Sequence, residues 1–197
     1  MIVFDIEKLK IKTNIIPSEE EIKNISKELF EFLVFYKSTY CVSANQLGYN
    51  FRIAAFSIPG RQPFYLVDPK VLKKELLLKY VEDDVSFPNK LFQTYRYARV
   101  QVSALNLKKP FWFGLLNEIK DPQSPEVLEA VCVQHMIDSL DGILITERNK
   151  KPENEVVFEP KKFKRNDIIV LEKGDKILEV KYKRIQNFLD DGWKIKN

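Results

Sequence analysis

One stretch limits what the rest of this chain can become: Val131-Cys132-Val133-Gln134-His135-Met136-Ile137-Asp138-Ser139-Leu140-Asp141-Gly142. Ser124-Pro125-Glu126 precedes it. There the serine caps, the proline takes the first helical position, and the glutamate favours the positive end of the helix dipole. The pattern predicts a helix of about four or five turns, stopped by Gly142. His135 is the single histidine of the chain. A metal-binding catalytic helix wants a second histidine four residues on, so that both imidazoles meet one ion, and a glutamate directly after the first as general base. Met136 and Ser139 hold those places. The outline of a catalytic helix is present while two ligating or basic groups are replaced.

With 197 residues the chain has room for one well-buried domain and a small appendage. It has no long apolar run, and residues 1 to 12 alternate apolar with charged. This reading gives no membrane span, signal peptide or lipid anchor, and a cytoplasmic setting is expected. Cys41 and Cys132 lie far apart in apolar contexts and are expected as reduced, buried thiols. Charge is unevenly placed. Residues 161 to 197 hold 11 Lys and Arg against 6 Asp and Glu, net +5, and the whole chain carries +4, so residues 1 to 160 carry −1. Such a tail suits an acidic partner, such as nucleic acid, ribosome or an acidic protein face, and equally a solvated surface.

In chain order, residues 1 to 12 alternate well enough for an edge strand. Ser18 and Glu21 have capping-box spacing, and Ile22, Ile25, Leu29, Phe32, Leu33 and Tyr36 follow at helical steps. The small-residue run Thr39-Tyr40-Cys41-Val42-Ser43-Ala44-Asn45-Gln46-Leu47-Gly48 isolates a polar Gln46 that suits either a pocket wall or a satisfied loop. Residues 51 to 58 and 64 to 67 read as strands around Pro59-Gly60-Arg61-Gln62-Pro63. Further strands are expected over 71 to 81 and 95 to 107. Adjacent Asp83 and Asp84 on an extended chain face opposite ways and do not make a shared site. A short strand over 143 to 147 and a polar linker lead to a basic ββα extension, residues 161 to 197, too small to stand alone.

Three separated blocks resemble the peptide deformylase family, metallohydrolases that remove the formyl group from N-terminal methionine. They are Thr39-Tyr40-Cys41-Val42-Ser43-Ala44-Asn45-Gln46-Leu47-Gly48, Glu82-Asp83-Asp84-Val85-Ser86-Phe87-Pro88, and Gln134-His135-Met136-Ile137-Asp138-Ser139-Leu140-Asp141-Gly142. The resemblance covers residues 1 to 147 and implies an α+β fold, with mixed or antiparallel sheets around the central helix. The organisation expected is a deformylase-like domain at 1–147, a linker at 148–160 and the extension at 161–197. It implies that Arg96 pairs with Glu82. The family's three metal ligands fall on Asp84, His135 and Ser139, its catalytic glutamate on Met136, and its carbonyl-stabilising groups on Gln46 and the backbone N–H of Val85.

Losing general acid–base help costs about 10²- to 10⁴-fold, and a neutral serine is a poor third ligand. The resulting expectation is a catalytically inactive protein reused for binding or assembly, with no cofactor and with His135 as a hydrogen-bonded structural residue. Tyr182, Lys183, Arg184, Phe188 and Trp193 would form its protein-binding or self-assembly patch. The Ser-Ala-Asn-Gln variant resembles phage versions, and the Lys-, Ile- and Asn-rich composition suggests an AT-rich genome, so a phage virion component is expected. The alternatives are a weak or altered deformylase using Fe, Ni or Zn, and an accessory protein that binds ribosome or nucleic acid through its tail.

Overall fold

The computed structural model describes residues 2–114, 124–158 and 165–196. The Pro122-Gln123 lead into the long helix and residues 161 to 164 at the start of the extension lie outside them. The chain divides into two compact units, Met1–Glu159 and Pro160–Asn197.

The first unit begins with α1 (Ile6–Leu9), where the Asp5 carboxylate accepts from the Glu7 N–H at 3.1 Å. The predicted edge strand is therefore a capped helical turn. The backbone on either side bonds elsewhere: the Val3 N–H donates to the Gln46 carbonyl, and the Thr13 N–H to that of Leu140. The helix α2 (Glu19–Phe35) starts on the reciprocal box of Ser18 and Glu21. Its buried stripe, Ile25, Leu29 and Leu33, packs on an antiparallel sheet in the order β1 (Cys41–Ser43), β2 (Ile53–Phe56), β3 (Phe64–Val67). A 3₁₀ turn, Ala44–Leu47, follows β1 directly and turns Gln46 inward.

A second antiparallel sheet joins β4 (Lys70–Glu82), β5 (Phe92–Ser103) and β6 (Phe111–Gly114) in that order. The helix α3 (Pro125–Leu140) lies in the core shared by both sheets, where Val133, Met136, Ile137 and Leu140 meet Phe56, Leu66, Val100 and Phe113. Burial nearly all round explains why its sequence lacks a polar face. Burying a polar group costs free energy unless it is partnered, so Gln134, His135 and Asp138 must find partners inside. Gln134 does so locally: its side chain accepts from the Tyr97 N–H and donates to the Tyr97 and Ala130 carbonyls, pinning α3 to β5.

Beyond α3, the short strand expected over 143 to 147 is a 3₁₀ turn, Ile145–Asn149, because the Glu147 carboxylate folds back to accept from the Leu144 N–H at 2.8 Å. The expected linker also differs. Arg148 pairs with Asp138, the Tyr97 hydroxyl donates to Glu155 at 2.5 Å, and the Phe158 N–H donates to the Leu77 carbonyl at 2.6 Å. These bonds tie the described part of that segment to the first unit.

In the second unit, β7 (Ile168–Lys173) and β8 (Lys176–Lys181) form a hairpin, α4 (Ile185–Asp190) follows, and the short β9 (Lys194–Ile195) returns to β7, giving the order β8-β7-β9. Ile169, Leu171 and Ile185 form its core, with Phe188, Leu189 and Trp193 packed against them. Phe188 and Trp193, read from sequence as part of an exposed patch, meet edge to face at 6.3 Å between ring centroids within that small core. Lys183 and Arg184 are exposed, and Tyr182 is 38% exposed. Among the described residues no helix is long and apolar enough to cross a membrane.

Candidate active site

Four pieces of backbone bring the site together. The central helix α3 supplies His135, Met136, Asp138 and Ser139; the turn after β1 supplies Ser43, Asn45 and Gln46. The end of β4 and the turn beyond it supply Glu82, Asp84, Val85 and Ser86, and β5 supplies Thr94 and Arg96. His135 sits between two carboxylates. Its Nε2 lies 2.8 Å from Asp84 Oδ2, and its Nδ1 lies 3.1 Å from Glu82 Oε2, an ion contact outside hydrogen-bond geometry.

Behind the imidazole the charges alternate. Glu82 Oε1 accepts from Arg96 Nε and from the Thr94 hydroxyl, each at 2.6 Å. Arg96 Nη1 donates to Asp138 at 2.5 Å, and Arg148 grips the same carboxylate with two nitrogens. The line Asp84, His135, Glu82, Arg96, Asp138, Arg148 runs from the pocket to the surface, where Arg148 is 38% exposed. Burial alone would raise the Glu82 pKa, but Arg96 and His135 hold it down to about 2. Burial would lower that of His135, but Glu82 and Asp84 keep it well above the ordinary histidine value. Its Nε2 faces Asp84 at hydrogen-bond distance, and the two carboxylates favour the protonated ring.

Asp84 has further donors. Gln46 Nε2 reaches its Oδ1 at 2.9 Å and the Ser86 N–H reaches the same oxygen at 2.7 Å. Ser139 faces a different set of partners: its hydroxyl lies 2.8 Å from that of Ser43 and 3.2 Å from Asn45 Oδ1. The same serine's carbonyl accepts from Asn45 Nδ2. So Asp84 and His135 meet, and Ser139 is bound into the turn after β1.

A pocket of about 270 Å³ opens over this assembly, walled by Gln46, Val85, His135 and Met136 and by the apolar Tyr80, Val81, Leu128 and Val131. Cys41 and Cys132, free thiols, line it too, and contact between them together with burial pushes the Cys41 thiol well up. Cys132 is part of the packed core. A larger cavity of about 1040 Å³ lies along another face of α3, and its charged walls include Arg96, Asp138 and Arg148, the far end of the same line. The chemistry-bearing groups converge on the smaller pocket.

The metal that the sequence resemblance implies does not fit these residues. His135 Nε2, the nitrogen facing the pocket, is taken by Asp84, Asp84 already faces three donors, and Ser139 is a neutral hydroxyl held elsewhere. No cluster of three or more His, Cys, Asp or Glu able to hold an ion occurs among the described residues. Sequence reasoning located Glu82, Asp84, Arg96 and His135 but missed Asp138 and Arg148 as members of the line. Asp138 had a signal, a charge one helical turn beyond His135 on a buried helix. Arg148 had none.

Comparison with known proteins places most of the first unit. A family model described as polypeptide deformylase matches residues 2–155. A peptide deformylase of Desulfitobacterium hafniense is 31% identical over 72% of this chain and 89% of its own. One of Alkalilimnicola ehrlichii is 28% identical over 66% of this chain and 68% of its own. A crystal structure of peptide deformylase from Thermus thermophilus superposes with a TM-score of 0.63 at 21% identity, over 75% of this chain and 83% of that one. These relatives overturn the expectation of an inactive protein reused for assembly, and with it the virion setting. They carry the name of the enzyme over most of their length and favour a deformylase function; no virion or structural role emerges from them. From its matching blocks to its α+β frame of antiparallel sheets, this chain belongs to the peptide deformylase family.

Proposed function

We propose that the chain works on peptides bearing N-terminal formyl-methionine, as a peptide deformylase whose reaction centre is altered. The observation that carries this reading is the family match over residues 2–155. The pocket at its centre supports it, because the family's carbonyl-stabilising positions, Gln46 and Val85, both line that pocket beside His135. The apolar walls, Tyr80, Val81, Leu128 and Val131, suit a thioether side chain. Gln46 is held by its own turn, its Oε1 accepting from the Ser43 N–H at 3.0 Å, so its Nε2 is aimed at the pocket end of Asp84. The family is metal-dependent, but the residues at this centre do not fit an ion. With methionine at 136 the loss of the general base alone is expected to lower turnover roughly 10²- to 10⁴-fold, and a centre that does not fit an ion lowers it further.

The test is formate release from a formyl-methionyl tripeptide by the full chain, with calorimetric binding of the same peptide in parallel. Binding with slow formate release, both lost in Gln46→Leu, is the expected outcome. A chain that neither binds nor deformylates the peptide rejects the reading.

For the second unit we propose contact with an acidic surface. The segregation of charge, +5 in residues 161 to 197 against −1 in the rest, favours it.

A further inference from the structure

We infer that in this chain the Asp84–His135 ion pair stands in the place of the metal, closing the site with an internal salt bridge rather than leaving a vacant set of ligands. Three observations carry this beyond the mere replacement of two ligands. The first is that Asp84 reaches the ring nitrogen itself: Oδ2 lies 2.8 Å from His135 Nε2, the only nitrogen of the ring that faces away from Glu82. An ion bound at His135 would have to take that nitrogen from Asp84.

The second is the packing behind the ring. Glu82 lies 3.1 Å from His135 Nδ1 and is itself held by Arg96 and Thr94, and Arg96 is held in turn by Asp138, so the imidazole is fixed with Nε2 toward Asp84. An ion at that nitrogen would have to displace a carboxylate that Gln46 and the Ser86 N–H already hold in place. The third is the surroundings. Gln46 and the Ser86 N–H fix the Asp84 carboxylate from its other side, Ser139 is bonded to Ser43 and Asn45, and Met136 is 1% exposed in the apolar core. Each replacement removes one requirement for an ion, and Asp84 fills the gap.

This inference does not depend on the deformylase reading, because metal content is measured without any peptide. The full chain, purified without chelator or affinity histidines, would be incubated with Co(II) or Zn(II), desalted, and analysed by mass spectrometry for metal and by visible absorption for tetrahedral Co(II). The triple variant Asp84→Cys, Met136→Glu, Ser139→His would be treated alongside. The wild-type chain is expected to leave the column with far less than one metal per chain and without ligand-field absorption. Its melting temperature is expected to be unmoved by EDTA or Zn(II), since a ligand that binds only the folded state must raise it. The triple variant is expected to gain a full equivalent and the absorption.

Retention of a full equivalent by the wild type, lost in His135→Ala, would overturn the inference, and so would a melting temperature lowered by EDTA. A folded triple variant that still takes no ion would overturn it too, because the salt bridge would then not be what excludes the metal. If the triple variant does not fold, the two wild-type measurements decide.

Discussion

Burial would lower the His135 pKa, but the ring lies between Glu82 and Asp84, and these two carboxylates raise it instead. Removing the ring leaves Glu82 and Asp84 buried together without the charge between them. His135→Ala is therefore expected to lower the unfolding free energy by roughly 3–5 kcal/mol, the usual cost of orphaning a buried charge, as read from urea denaturation. The same pair sets a pH dependence. Glu82 has a folded pKa of about 2, below its ordinary 4.5, so its stabilisation is complete above that ordinary value and is lost as pH falls toward 2. His135 is raised above its ordinary 6.5, so its stabilisation is complete below that value and is lost as pH rises through the folded pKa. One interaction underlies both slopes and is counted once. Melting temperature against pH should peak between the two ordinary values, and His135→Ala should flatten the alkaline side. A wild-type chain whose stability keeps rising above neutral pH would contradict the raised His135 pKa. At this scale the motif blocks revealed which positions matter. What they could not reveal was that Asp84 turns its carboxylate onto the histidine, since the partners lie 51 positions apart in sequence and meet only through the fold.

Among the elements, those with local chemistry were legible and those whose partners come from afar were not. Ser18 with Glu21 and Ser124 with Pro125 start α2 and α3 where their spacing predicts. Alternation over residues 1 to 12 predicts a strand, but the structure forms α1, because no sheet edge receives that segment and its backbone bonds to the Gln46 turn and the end of α3. Gly142 is the device that permits the second of these contacts. At φ 74° it ends α3, and a Cβ there would lie 2.2 Å from the Lys10 carbonyl oxygen, so the N-terminal segment can pass directly under the helix end. Gly142→Ala must accept a left-handed backbone and push that segment away, and a loss of roughly 2–4 kcal/mol is expected. Ser18→Ala, which removes an exposed cap from α2, should cost only about 1 kcal/mol. Urea midpoints of the two variants separate these mechanisms: equal losses would mean that the close approach at Gly142 is relieved cheaply.

Across the whole molecule, composition singled out the basic extension but not how its aromatic residues pack. The lysines and arginines of residues 161 to 197 stand out in any window, whereas the packing of Phe188 and Trp193 against Ile169, Leu171 and Ile185 arises only when α4 and the hairpin meet. Phe188 and Trp193 pack, half-buried, against a core built on Ile169, Leu171 and Ile185, and the unit exposes Lys183 and Arg184 beside Tyr182. Binding through such a surface is electrostatic, without a large apolar contribution, and it falls steeply with salt as counterions are no longer released to advantage. On immobilised heparin at low ionic strength, the full chain should be retained and a chain ending at residue 159 should pass through, because residues 1 to 160 carry −1. Logarithmic affinity for a single-stranded oligonucleotide should fall linearly with the logarithm of salt concentration. Retention that survives at high salt, or that persists in the shortened chain, would place the contact surface on the first unit and remove the acidic-partner proposal for the second.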